Sequence, residues 1–215
     1  MKNPMNYRID NIPKFLFPAF VFYNLVLALP ILAVVYLLRL TCKKEEVNRE
    51  VLRRYPSHIL VYWHHAIFPA IIGVRFRNHR YSTINHPAWY MGPILLVLRV
   101  LGIEKLVYGS TGNRGRKAAD MIVADLNEGF STIINPDGPS GPPESLKKGV
   151  LHIAHQSKKP MIPVKITTPK SIALPTWDKK RAPLPFTSYT VRYSEPIFVT
   201  EEDFDSAAEA LVKQL

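Results

Sequence analysis

One long apolar run is followed along the chain by short apolar segments that alternate with amphipathic ones. The run, Phe15 to Leu38, holds 24 residues without a charge. As one helix it would extend roughly 36 Å at about 1.5 Å per residue, enough for a hydrocarbon core of about 30 Å. Pro18, Asn24 and Pro30 interrupt it, so a kinked span and a shallow re-entrant helix pair are both compatible with the pattern. A cleaved secretory signal is disfavoured, because Tyr36, Leu37, Leu38 and Arg39 stand where a small-x-small site is needed. After a charged connector, Lys43–Arg54, expected to be helical, the pattern predicts strands at Ile59–Trp63, Tyr81–Ile84, Leu106–Tyr108, Ser131–Asn135, Met161–Thr167 and Ser188–Tyr193. Between and after them it predicts helices at Ala66–Phe76, Tyr90–Leu101, Arg114–Asn127, Gly149–Gln156 and Glu201–Lys213. Such alternation predicts an α/β fold, a mostly parallel sheet flanked by helices. Thr200 followed by Asp203 reads as a capped start for the last helix. The stretches Pro136–Pro143 and Pro169–Pro185 read as loops. The expected organisation is a membrane anchor (1–42), the connector (43–56) and an α/β domain (57–215).

Composition narrows the class. A chain of 215 residues with 47% hydrophobic positions can bury the core of one ordinary domain, and global disorder is excluded. Its 28 Lys and Arg against 17 Asp and Glu give a net charge of +11, which favours an anionic partner: nucleic acid, acidic lipid or a phosphorylated substrate. The cations are spread along the chain without a recognised nucleic-acid module, so no nucleic acid is expected as partner. Basic residues flank the apolar run on both sides, with the heavier cluster (Arg39, Lys43, Lys44, Arg49, Arg53, Arg54) downstream. The positive-inside rule then places the globular part in the cytoplasm. The single cysteine, Cys42, excludes an intramolecular disulfide and a Cys-based metal cluster. At the edge of the apolar run it reads as a small packed residue, or as a site for palmitoylation.

In open α/β sheets ligands collect beyond the carboxyl ends of the strands. Three such ends carry polar residues here: His64 and His65, the turn Gly109–Arg114, and the block Pro136-Asp137-Gly138-Pro139-Ser140-Gly141-Pro142. If the strands are parallel, all three face one cleft. His64 suits a general base, since imidazole titrates near neutrality, and His65 points elsewhere. Ser110, Arg114 and the neighbouring cations at a helix start suit a phosphate, although the turn is not a Walker A loop. Asp137 sits in a rigid Pro/Gly turn that holds a carboxylate in one orientation. Ser140 is not in a GxSxG elbow, which argues against a serine hydrolase. His152 and His155 lie three apart on a helix, but without a second ligand pair nearby no metal site is expected.

The segments, in this order, resemble the glycerolipid/lysophospholipid acyltransferase superfamily, and more closely its bacterial branch with a Pro-Asp-Gly-Pro-x-Gly-Pro block. The residues that carry the resemblance are Trp63-His64, Gly109–Gly115, Pro136–Pro142, Lys147–Leu151, Pro163-Val164, Trp177-Asp178 and Pro183–Phe186. The superfamily's hallmark is His-x4-Asp, and the chain departs from it: His64 reaches Pro69 at that offset, and His86 reaches Met91. Asp137 follows His64 by 73 residues and His86 by 51; the longer separation is the superfamily's usual one, which makes His64 the first choice and His86 the second. Ser140 stands where the branch usually has Arg. The resemblance implies a membrane-associated O-acyltransferase of lipid metabolism, on the bacterial inner membrane. It would move an acyl chain from acyl-CoA or acyl carrier protein to a lipid hydroxyl. His64 would be the base, and Asp137 would orient it or position the acceptor. Ser110 and Arg114 would hold a phosphate, with His65, Gly138, Ser140 and Gly141 lining the substrate. No bound cofactor or metal is needed. The same departures also allow a catalytically degenerate fold that binds or presents lipid without turnover.

Overall fold

The computed structural model of the protein describes residues 7–74, 76, 79–109 and 114–215. The strands are β1 (Lys43–Val47), β2 (Ile59–Val61), β3 (Tyr81–Asn85), β4 (Ile103–Tyr108), β5 (Ser131–Ile134), β6 (Met161–Thr167), β7 (Ser171–Ala173), β8 (Arg181–Pro183) and β9 (Ser188–Tyr193). The α-helices are α1 (Phe17–Thr41), α2 (Val51–Arg54), α3 (Ile67–Gly73), α4 (Gly92–Leu101), α5 (Gly115–Asn127), α6 (Gly149–Ser157) and α7 (Phe204–Gln214). Seven strands form one sheet in the order β1-β9-β6-β2-β5-β3-β4. β6, β2, β5, β3 and β4 run parallel, β9 is antiparallel to β6, and β1 is parallel to β9. The expected mostly parallel sheet flanked by helices is what forms.

Both faces of the central strands are covered, which is why β2 is a continuous apolar triplet rather than an alternating one. Ile59, Leu60 and Val61 are all fully buried. Leu60 joins a core with α1, α3 and α4 residues such as Val35, Ile71 and Val97, while Ile59 and Val61 join the opposite core with Ile122, Leu151 and Leu211. The period of two along a strand divides the molecule into these layers.

Three expectations are corrected. The connector is not one helix: Lys43–Val47 is the edge strand β1, followed by the single turn α2. Its Lys-Lys-Glu-Glu pattern fits an exposed edge, where charge discourages further pairing. The Pro-rich stretch Pro169–Pro185 contains the antiparallel hairpin β7–β8. The N-cap of α7 is Asp203, three residues later than Thr200. Asp203 Oδ1 accepts the Thr200 N–H at 2.7 Å, and the helix begins at Phe204.

The apolar run is one continuous 25-residue helix that passes through Pro30, not a helix pair. Its inner side packs on the domain through Ala28, Val35 and Leu38, and Asn24 turns inward against Gly92 of α4. The outer side carries Phe22, Val26, Leu29, Leu37 and Leu40 in the open, and only 17% of its most apolar stretch is covered by the chain. Cys42 is buried, with Sγ 3.3 Å from the Leu184 carbonyl, so it is the packed residue of the two readings.

The entry to β2 is fixed by His58, which has no exposed surface. Its Nδ1–H donates to the Tyr55 carbonyl at 2.7 Å, and Nε2 accepts from the Tyr81 hydroxyl at 3.0 Å. Burial pushes this imidazole down to about 4. In the unfolded chain it titrates near 6.5, so only the unfolded state takes up a proton between these values. Stability is therefore complete above about pH 6.5 and falls by on the order of 3 kcal/mol as the pH drops to about 4. Urea unfolding of detergent-solubilised protein across this range checks this; His58→Asn should be less stable at neutral pH and lose that part of the pH slope.

Candidate active site

The chain leaves the sheet after β2, and Trp63 leads into a tight 3-10 turn, His64–Ala66, that runs directly into α3. At the other end of α3 the last carbonyls are held by cations from the N-terminal region. Arg39 donates to the Ile71 and Ile72 carbonyls (2.8 and 3.1 Å), and Lys44 to Gly73 (3.1 Å). Positive charge at a helix C-terminus is favourable for the macrodipole and satisfies orphan acceptors. The element that carries His64 is thus clamped to α1 and β1.

Among the described residues the imidazole of His64 has one short hydrogen-bond partner. Its Nδ1 lies 2.6 Å from Oδ2 of Asp178, whose side chain has no exposed surface. Lys180 Nζ donates to the other oxygen, Oδ1, at 2.8 Å. Burial alone would raise the Asp178 carboxyl; hydrogen bonds from Lys180, His64 and Thr176 outweigh it and bring it down to about 2. An ionised carboxylate only accepts, so the proton of the pair sits on Nδ1, and in the neutral ring this tautomer leaves the lone pair on Nε2. The Trp177 ring stacks on the imidazole at 5.2 Å between centroids and 29° between planes. Trp177 and Asp178 both come from the turn of the β7–β8 hairpin.

Asp137 does a different job from orienting the ring. It is buried, its Oδ1 accepts the main-chain N–H of His64 at 3.0 Å, and its Oδ2 accepts the Glu144 N–H at 3.4 Å. Burial pushes its carboxyl up, against the opposing effect of these N–H donors. Asp137 therefore fixes where the His64 backbone turns, and Asp178 fixes the ring. Sequence reading noted Trp177-Asp178 as a marker without a role, because the pair lies 114 residues from His64 in a stretch read as loop.

The remaining candidates are distributed around this pair. His65 faces away, with Nδ1 3.6 Å from Glu144 Oε1, into a cavity of about 390 Å³ lined by Trp63, Ala66, Val164 and Ile166. Gly138 packs against Lys147, Gly141 packs against Trp177, and Ser140 is exposed beside them. Arg114 is exposed at the start of α5, beyond the carboxyl end of β4. Ser110 lies outside the described residues. His86 follows β3, two strands from β2 in the sheet, and sits against Tyr90. His152 and His155 both pack on Phe204 and help hold α7 to α6. The parallel strands do bring the carboxyl ends of β2, β4 and β5 to one edge, as the sequence suggested.

Comparison with known proteins places the fold. No family model matches the chain. It is 29% identical over 152 residues to the uncharacterized protein RP090 of Rickettsia prowazekii (strain Madrid E), covering 70% of this chain and 68% of that one. Among solved structures it is similar to the 1-acyl-sn-glycerophosphate (LPA) acyltransferase PlsC from Thermotoga maritima. The TM-score is 0.53 at 20% identity, over 80% of this chain and 70% of that chain. The fold is therefore an acyltransferase-type α/β fold with an apolar N-terminal helix.

The contact between Gly141 and Trp177 yields a test. Gly141 has φ 64°, and an added Cβ would come within 2.6 Å of the Trp177 ring. Gly129 also has a positive φ, 85°, but nothing lies within 4 Å of its added Cβ. Gly129→Ala should cost only the backbone term of about 1–2 kcal/mol. Gly141→Ala should cost more and displace Trp177 from His64. Chemical unfolding of both variants, with the fluorescence of Trp177 read in a background lacking the other tryptophans, measures the difference.

Proposed function

We propose that the protein is a membrane-associated O-acyltransferase that moves a fatty acyl chain from a thioester, acyl-CoA or acyl carrier protein, to a lipid hydroxyl. The observation that carries this reading is the His64–Asp178 pair, at the ligand-binding edge of a sheet shared with a lysophosphatidate acyltransferase. Nε2 of His64 takes the proton of the acceptor hydroxyl as its oxygen attacks the thioester carbonyl. The tetrahedral oxyanion collapses, the C–S bond breaks, the ester C–O bond remains, and the imidazolium returns the proton to the leaving sulfur. Asp178 holds the ring in the tautomer that accepts at Nε2 and stabilises the imidazolium, and the Trp177 face adds a cation–π contribution. Asp137 holds the His64 main chain in place for this step. We assign Arg114, with Ser110, to a headgroup phosphate, and Gly138, Ser140 and Gly141 to the substrate-facing turn.

A catalytically degenerate lipid binder is the alternative suggested by the missing aspartate of His-x4-Asp. Asp178 supplies a carboxylate on the imidazole from elsewhere in the chain, and this favours turnover. The outer face of α1 is the surface we assign to lipid. Its inner face packs on the domain at Ala28, Val35 and Leu38, which suits a helix lying in the bilayer interface better than one surrounded by lipid. The basic flanks fit an anionic, cytoplasmic leaflet.

Detergent-purified protein is to be given long-chain acyl-CoA or acyl carrier protein with a lysolipid extract, and free thiol and new esters measured. Wild type should form ester. His64→Ala and Asp178→Asn should each lose roughly 10²–10⁴-fold in turnover. Full transfer by His64→Ala on every acceptor would overturn the assignment, and lipid binding without thiol release would favour the degenerate fold.

A further inference from the structure

The β7–β8 hairpin and the loop after it carry apolar surface that the fold itself does not use. Ile172, Leu184 and Phe186 are exposed, Phe186 to 85%. Phe186 also sits at φ 61°, in the left-handed region where a residue with a Cβ is strained and where Gly or Asn fits an exposed turn. Holding a large aromatic out from the surface on a strained backbone contributes nothing to intramolecular packing. The position of this loop is informative. Cys42 Sγ–H donates to the Leu184 carbonyl and the Lys43 N–H to the Thr187 carbonyl at 2.9 Å, which ties the loop to the end of α1. Leu184 and Phe186 therefore lie beside the C-terminal end of α1, where Leu37 and Leu40 are also exposed.

Charge follows the same surface. Between Lys165 and Arg192 the chain carries six cations and a single acid, Asp178, which is engaged by His64 and Lys180. Lys170, Lys179 and Arg181 are exposed and have no ion pair among the described residues. Exposed apolar side chains rimmed by unpaired cations match the chemistry of an anionic bilayer surface, apolar below and phosphate above.

We propose that the hairpin and its following loop form a second bilayer contact beside α1. Leu184 and Phe186 enter the acyl region, and Lys170, Lys179 and Arg181 lie against anionic headgroups. The proposal rests on the reading that the outer face of α1 meets lipid. Its consequence is mechanical: the same hairpin carries Trp177 and Asp178 to His64, so docking its base steadies the arm that orients the base and holds the site at headgroup level. The acceptor class this implies is a lipid still resident in the membrane.

The test uses the full chain in a Cys42→Ala background, with single nitroxide labels at Phe186→Cys, Leu184→Cys, Leu29→Cys on α1 and Glu209→Cys on α7. The labelled protein is reconstituted in phosphatidylcholine vesicles with and without phosphatidylglycerol, and each label's access to oxygen and to a water-soluble nickel chelate is compared. Labels at 186, 184 and 29 should be shielded from nickel and open to oxygen in the anionic vesicles, and the label at 209 the reverse. Changing Lys170, Lys179 and Arg181 together to Glu should return label 186, but not label 29, to the aqueous pattern. A label at 186 as open to nickel as that at 209, while 29 is shielded, overturns the proposal. If 29 is also open to nickel, the lipid-facing reading of α1 fails with it. None of these outcomes depends on acyl transfer, so a failure of the transferase reading is seen separately. Phe186→Asn serves as a folding control, expected to melt no lower than wild type while losing vesicle affinity.

Discussion

A carboxylate with no exposed surface has to be neutralised from within, and Asp178 is such a group. Left alone, its burial would cost several kcal/mol. Lys180 takes one oxygen and the His64 imidazole takes the other. Each of these contacts brings an element with it. Lys180 comes from the same hairpin, so it makes the charge tolerable locally. His64 comes from the end of β2 and makes the hairpin close over the carboxyl edge of the sheet. Trp177 then has one place to go, flat against the imidazole and packed on Gly141. The hairpin, the Pro/Gly turn and the histidine are in this way a single unit built around one charge.

The second constraint comes from the opposite side of His64. The short helix α3 begins at the histidine turn and ends on carbonyls that Arg39 and Lys44 satisfy. These cations belong to the end of α1 and to β1. The helix with the apolar outer face is therefore not a detachable tether. It is packed against α4 at Asn24, and its Arg39 holds the far end of α3 by charge. Two supports, Asp178 on the ring and Asp137 on the main chain, then leave His64 little freedom at its own position.

Much of the fold was legible because parallel strands covered on both faces read as short apolar runs separated by amphipathic helices. Met161–Thr167 and Ser188–Tyr193 form as the pattern predicts, and the other core elements differ mainly at their ends. The connector was misread because an edge strand of Lys-Lys-Glu-Glu has no apolar face, and its pairing with β9 is set by tertiary contact alone. The hairpin β7–β8 was hidden by the prolines on either side of it. For the site, Trp63-His64 and the Pro136–Pro142 block stood out through composition and spacing. Asp178 did not, because its relation to His64 spans 114 residues and depends on how a Pro-rich segment folds back. Two aromatic–polar pairs, Trp63-His64 and Trp177-Asp178, were the local signal, and although both carry the family resemblance their spacing does not show that they meet.

The claim on which the account turns is that the carboxylate on the His64 ring is Asp178 and that Asp137 serves the backbone. Proton NMR of protein labelled with 15N-histidine tests it directly, since a short charge-assisted N–H···O⁻ bond shifts its proton far downfield. The account predicts one such signal, coupled to a histidine ring nitrogen. It should vanish in His64→Gln and in Asp178→Asn and persist in Asp137→Asn. A signal that survives Asp178→Asn, or that is lost in Asp137→Asn while Asp178 remains, would contradict it.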